Sequence, residues 1–175
     1  LNTSIDANAS ETSIPTAPTA IRVGDVTADF EELRDRADLA IFWGCTPSTN
    51  FQPFIKRFIK PEPKNGVRHT ISIGPTSLLP PTSHNLHFAV QKDDLVSLAR
   101  LVQARIDQKA ARKLSNALGN IADKIKESID NARCIGIVSS KTADQTGLVS
   151  WRLSHLTRSL AHQKPSFGIR LNEGA

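Results

Sequence analysis

Between Leu39 and Trp43 the chain carries five apolar residues in a row, Leu-Ala-Ile-Phe-Trp, and then stops at Gly44. A strand with one wet face alternates apolar and polar residues. An unbroken run implies that both faces are buried, as in a parallel sheet held between helices. Further strand-like stretches follow at 67–73, 86–90, 134–138 and 167–171. Between them the apolar residues recur at helical spacing. One stripe is Leu95, Leu98, Val102 and Ile106; a second is Leu114, Leu118, Ile121, Ile125 and Ile129; a third is Val149, Leu153, Leu156 and Leu160. Strands alternating with helices predict an α/β fold, a mainly parallel sheet flanked by helices.

Local signals refine that outline. Asp29 to Ala37 predicts a short helix with Phe30, Leu33 and Ala37 on one face. Phe51 to Ile59 predicts another, with Pro53 in its first turn. Pro61, Pro63, Asn65 and Gly66 break the chain before the second strand. Asp93 or Asp94 can cap the next helix, since a carboxylate satisfies its free N–H groups. Thr142 and Gln145 form a capping-box pattern, and Pro165 ends the last helix. Residues 1–20, rich in Ser, Thr, Ala, Asn and Pro, read as an extended lead segment. Two helices in succession around residue 108 divide the remainder into a first α/β lobe, 21–107, and a second, 108–175, truncated at its C-terminal end.

A chain of 175 residues suits one domain or two small lobes sharing a core. No apolar run approaches the ~20 residues of a membrane-spanning helix. The sequence begins at Leu1 and contains no Met, so it is expected to be a piece of a longer protein. Charge is unevenly spread: residues 1–40 hold eight acids and three bases, and residues 41–175 hold nineteen bases and nine acids. A basic body can attract phosphates, an acidic coenzyme tail or an acidic partner, or can simply be a soluble surface. The two cysteines, Cys45 and Cys134, follow one strand and open another. In a parallel sheet those positions lie at opposite ends, too far apart for a bridge. That usage predicts a reducing, cytoplasmic setting.

Several motifs are absent: the dinucleotide GxGxxG, the phosphate-loop GxxxxGK[ST], the esterase GxSxG and the zinc HExxH. No CxxC spacing exists either, which excludes zinc-ribbon and thioredoxin patterns. His84 and His87 are spaced to hold a metal or to be ordinary strand-end histidines, and no carboxylate between Glu62 and Asp93 joins them locally. Trp151, His155, Arg158 and His162 line one helical face, open to an anion, to a partner or to solvent. The best site candidate is the segment from Trp43 to Asn50, which leaves the C-terminal end of a buried strand. Ligands of parallel sheets bind at that edge. Gly44 allows close approach to the backbone, and Thr46, Ser48, Thr49 and Asn50 offer hydrogen bonds.

The block Glu32-Leu33-Arg34-Asp35-Arg36-Ala37-Asp38-Leu39-Ala40-Ile41-Phe42-Trp43-Gly44-Cys45-Thr46-Pro47 resembles the E-[VL]-x-x-R-A-D-strand-W-G-x-N-P signature of the B-subunit of formylmethanofuran dehydrogenase, in the molybdopterin oxidoreductase superfamily. The order of later elements is similar as well, down to a terminal Asn172-Glu173-Gly174-Ala175. The resemblance covers roughly residues 21–175, with the specific part in 32–47. It implies Rossmann-like lobes of a molybdopterin-oxidoreductase-type fold. In redox members it implies a molybdenum or tungsten bis(molybdopterin guanine dinucleotide) and an iron–sulfur cluster, with Gly44, Cys45, Thr46 and Pro47 as the pterin dinucleotide loop.

This chain departs from that pattern. Thr46 replaces the asparagine, Gln52-Pro53-Phe54-Ile55 replaces a His-Pro-Arg-His-like segment, and Ser72-Ile73-Gly74-Pro75 replaces the acid expected after the second strand. Losing an acidic clamp and an asparagine weakens dinucleotide binding. The chain is therefore closer to the reduced B-subunit of the bacterial formyltransferase/hydrolase complex. That resemblance implies a structural component without bound cofactor, non-catalytic alone, in the one-carbon metabolism of formyl, formate, methanofuran and tetrahydromethanopterin. Its partners would be the other subunits of the complex, with no nucleic acid and no membrane. The alternatives are an active molybdopterin-dependent formylmethanofuran dehydrogenase subunit, or an unrelated Rossmann-like nucleotide-binding module.

Overall fold

The computed structural model describes residues 26–47, 51–64, 66–80, 82–108, 116–140 and 147–171. In chain order the elements are α1 (Phe30–Arg36), β1 (Leu39–Trp43), α2 (Phe51–Phe54), β2 (His69–Gly74) and β3 (Asn85–Ala89). They continue with α3 (Leu95–Ile106), α4 (Asn116–Asn131), β4 (Ile135–Ser140), α5 (Leu148–Ala161) and β5 (Ser166–Leu171). The strands form one five-stranded sheet in the order β3-β2-β1-β4-β5. Every pairing is parallel. The α/β architecture expected from the sequence is the one observed.

β1 is the central strand, and all five of its residues are buried. Its alternating side chains enter two cores. Leu39, Ile41 and Trp43 join Ile71, Ile73, Ile135 and Ile137 in a core closed by Leu98, Val102, Ile125, Leu153 and Leu156 of α3, α4 and α5. Ala40 and Phe42 join Val138, Phe167 and Ile169 in a core closed by Leu33 of α1 and by Phe51 and Ile55. The unbroken apolar run is therefore matched by helices on both faces.

Side-chain caps fix the connections. Asp29 accepts a hydrogen bond from the Glu32 amide (2.7 Å) and starts α1. Asp38, just before β1, accepts from the amides of Arg133 (3.0 Å) and Cys134 (2.9 Å), which locks the entry of β4 against β1. Arg68 is 5% exposed. Its guanidinium donates to the carbonyls of Leu33 (3.0 Å), Arg34 and Ala37 (2.9 Å) at the end of α1. It also donates to Phe58 (2.8 Å), Ile59 (2.7 Å) and Pro61 (3.0 Å). The last carbonyls of a helix lack intrahelical partners and carry partial negative charge, so one cation here terminates two helical segments at once. Lys164 does the same for α4, donating to Ile129 (2.7 Å), Asp130 (3.0 Å) and Ala132 (2.9 Å).

Three local expectations are corrected. The helix expected over 51–59 is a short α2 followed by a π-helical turn, Ile55–Ile59, with the Lys60 amide bonded to the Ile55 carbonyl (2.9 Å). The second strand begins at His69 rather than Val67, because Arg68 is drawn into the helix ends described above. Neither aspartate caps α3 through its side chain; a 3-10 turn, Lys92–Asp94, leads into it instead. Thr142 and Gln145 lie outside the described residues, and α5 is preceded by Gly147 at φ 74°.

Candidate functional site

In the strand order β3-β2-β1-β4-β5 the chain runs outward in one direction from β1 and then in the other from β4. An open parallel sheet takes its ligand in a crevice at such a switch point, here the C-terminal ends of β1 and β4. The sequence candidates Gly44, Cys45, Thr46 and Pro47 lie on one side of it, immediately after β1. Ser139 and Ser140 end β4 on the other side, and Gly147 opens α5.

The loop after β1 is built tightly. Gly44 has φ 67°, a left-handed conformation that side chains resist, and its amide donates to the Ile73 carbonyl at 2.8 Å. The neighbouring Gly74, at φ 156°, packs beneath it; a Cβ there would lie 3.7 Å from the Cys45 carbonyl oxygen and 3.8 Å from Gly44 Cα. Cys45 is 2% exposed, and its thiol lies 3.6 Å from the Val138 carbonyl oxygen, across on β4. This thiol braces the loop inward rather than facing the crevice. Thr46 is half-buried and Pro47 exposed. Ser48, Thr49 and Asn50 lie outside the described residues. Cys45 and Cys134 are both buried and neither is in a disulfide, one lying beyond the C-terminal end of β1 and the other before β4. Burial pushes the Cys134 thiol pKa up.

One feature of this edge has no sequence signal. Trp43 and Ser139 are register partners on β1 and β4. The Trp43 indole N–H is fully buried and is the one fully buried side-chain polar atom without a partner among the described residues. An apolar run ending in Trp predicts burial, not whether its single donor finds an acceptor.

The other candidates disperse. His84 stacks edge-on against His69 with ring centroids 4.9 Å apart, while His87 Nδ1 lies 3.2 Å from the Ser72 carbonyl oxygen. Among the described residues no group of three His, Cys, Asp or Glu is placed to hold a metal ion. On α5, Trp151 packs against His155 (4.9 Å) and under the Arg152 guanidinium (4.4 Å). Burial, followed by Arg152 and Arg158, lowers the His155 pKa. Among the described residues no helix is long and apolar enough to cross a membrane.

No family model and no curated protein matches the sequence. The fold does match solved structures. One is a chain of the formyltransferase/hydrolase complex (FhcABCD) from Methylorubrum extorquens, crystallised in complex with methylofuran, with a TM-score of 0.65 and 18% identity. The match covers 92% of this chain and 44% of that one, so this chain spans less than half the length of its structural neighbour. At that identity the likeness is one of fold: this chain shares its α/β architecture with a chain of a formyltransferase/hydrolase complex.

Proposed function

We propose that this chain is a B-subunit-like scaffold of a formylmethanofuran dehydrogenase or formyltransferase/hydrolase complex, cytoplasmic and not catalytic by itself. The observation that carries the reading is the Glu32–Pro47 block. It is the part of the sequence that resembles the B-subunits of that family, and it folds as α1, the central strand β1 and the crevice loop. The fold likeness to a chain of such a complex supports the same reading.

The residues at the crevice do not fit a pterin dinucleotide. The Cys45 thiol is turned toward Val138, and β2 ends in Gly74-Pro75 with no acid to hold a ribose or guanine edge. In this reading the role of the chain is to hold the other components of the complex, and the Gly44 loop is a remnant of a cofactor site.

The test is elemental analysis of the native full-length complex, with its co-purifying subunits identified by mass spectrometry. The expected result is formyl-transferring partners without stoichiometric molybdenum, tungsten or iron. Stoichiometric molybdenum or tungsten would overturn the scaffold and make the chain part of an active dehydrogenase. A second reading, a nucleotide-binding module, is favoured by the strand order with glycine at the end of β1. It requires thermal stabilisation by a mononucleotide or dinucleotide and the absence of partner subunits.

A further inference from the structure

α3 and α5 pack side by side over one core of the sheet. Neither helix carries an acid anywhere along its length. The acids nearest in sequence, Asp93, Asp94 and Asp107, stand before and after α3. On the side of α3 that meets α4, Arg105 donates to Asp123 at 2.7 Å, an ion pair. On the side that meets α5, Arg100 acts instead on Arg152, a second cation. Burial, followed by Arg100, lowers the Arg152 pKa.

The seam between the two helices has an ordered arrangement. Leu148, Arg152, His155 and Ser159 recur at i, i+4, i+7 and i+11 and form one stripe of α5. Gln103 of α3 donates to Ser159 Oγ at 3.4 Å, which sets that stripe along the seam. At its start Leu148 is 51% exposed. Trp151, half-buried one turn on, is packed against both Arg152 and His155. Like charges gathered without an acid repel one another, and a partner that supplies carboxylates relieves that cost. Trp and Arg beside an exposed leucine are the residue types that anchor protein interfaces. One aromatic ring does not make a base-stacking platform, so the carboxylates of a polypeptide fit better than the phosphates of a nucleic acid.

We propose that the seam between α3 and α5 is the docking surface for an acidic segment of a partner subunit, its carboxylates on Arg100 and Arg152 and its apolar side chain on Leu148 and Trp151. The proposal rests on the scaffold reading for there to be a partner. Metal content decides that reading, whereas the experiment below reads this surface directly, so the two can fail separately.

The test is a titration of the full chain with a short, end-blocked glutamate-rich peptide carrying a central leucine, followed by amide NMR shifts at low salt. The peptide is expected to bind with a Kd on the order of 100 μM, shifting Arg100, Leu148, Trp151 and Arg152. Arg152→Gln is expected to weaken binding about fivefold or more, and Arg100→Gln supplies a second reading if that variant does not fold. The variant Lys56→Gln/Arg57→Gln removes two exposed bases elsewhere and is expected to leave the affinity unchanged. A lysine-rich peptide of the same length is the negative control. Absence of shifts at the seam, equal weakening by the Lys56/Arg57 variant, or tighter binding of a single-stranded oligonucleotide at the same residues would each overturn the proposal.

Discussion

Leu33 of α1 fills the space above Gly136 of β4: a Cβ placed on Gly136 would overlap Leu33 Cδ1 and lie 3.3 Å from Phe167 Cε2. Leu33 is fully buried, so it has no free volume into which to retreat. Gly136→Ala is therefore expected to destabilise the fold by about 1–3 kcal/mol, the usual cost of overpacking. In a Leu33→Ala background the same substitution should cost much less. Urea unfolding of the two single variants and the double variant measures that coupling.

Arg68 is expected to matter more than any exposed base. Arg68→Met removes a buried cation from carbonyls at the ends of two helical segments and leaves those acceptors in a dry environment. The expected loss is about 3 kcal/mol or more. Arg68→Lys keeps the charge but not the planar fork that spans both segments, so it should recover only part of the stability. Urea midpoints of the three proteins decide this.

Lys164→Met should act locally. Its ammonium meets three carbonyls at the end of α4, so the expected cost is about 1 kcal/mol. Faster amide exchange in the last turn of α4, with the sheet unaffected, is the signature to look for.

Acid should weaken the fold through Asp35. The hydrogen bond from Arg34, assisted by Lys64, pulls its carboxyl pKa down to about 2. The folded pKa lies below the unfolded one, so the contribution is fully present above the ordinary carboxylate pKa. It is lost as pH falls from about 4 toward 2. In Asp35→Asn that part of the stability–pH curve should flatten. Arg34 and Asp35 are half-buried and Lys64 is exposed, so added salt should shrink the difference in part.

Both thiols should resist modification in the folded protein. Cys45 is buried against the Val138 carbonyl, and burial raises the Cys134 pKa, which keeps it protonated. A thiol reagent such as DTNB is expected to titrate them only on addition of denaturant. Rapid labelling of Cys45 in native protein would mean that the crevice loop opens.

The elements most legible in the sequence were those whose burial is complete. Leu39–Trp43 has no polar position, so no alternative to a central strand remained. The stripe from Leu118 to Ile129 likewise admits only a helix. Arg68 was not legible, because next to an alternating stretch a polar residue reads as solvent-facing. Its partners lie on segments that only tertiary folding brings near. The π-helical turn was hidden for a related reason: Phe54, Ile55 and Phe58 share a face under either hydrogen-bonding pattern. At the crevice, Gly44 was legible as a loop glycine. The inward turn of Cys45 toward Val138 depends on which strand lies beside β1, and composition does not encode that.

The central place of β1 also sets a timetable for synthesis. Its pairing with β2 is available early, but Asp38 and Cys134, which join it to β4, are 96 positions apart in the chain. At ordinary translation speeds of about 5–20 residues per second, that separation leaves β1 an open edge for about 5–20 s. During that interval the nascent chain displays five contiguous apolar residues with one side unpaired. The strand that organises the finished sheet is thus the segment most exposed to misassembly on the ribosome.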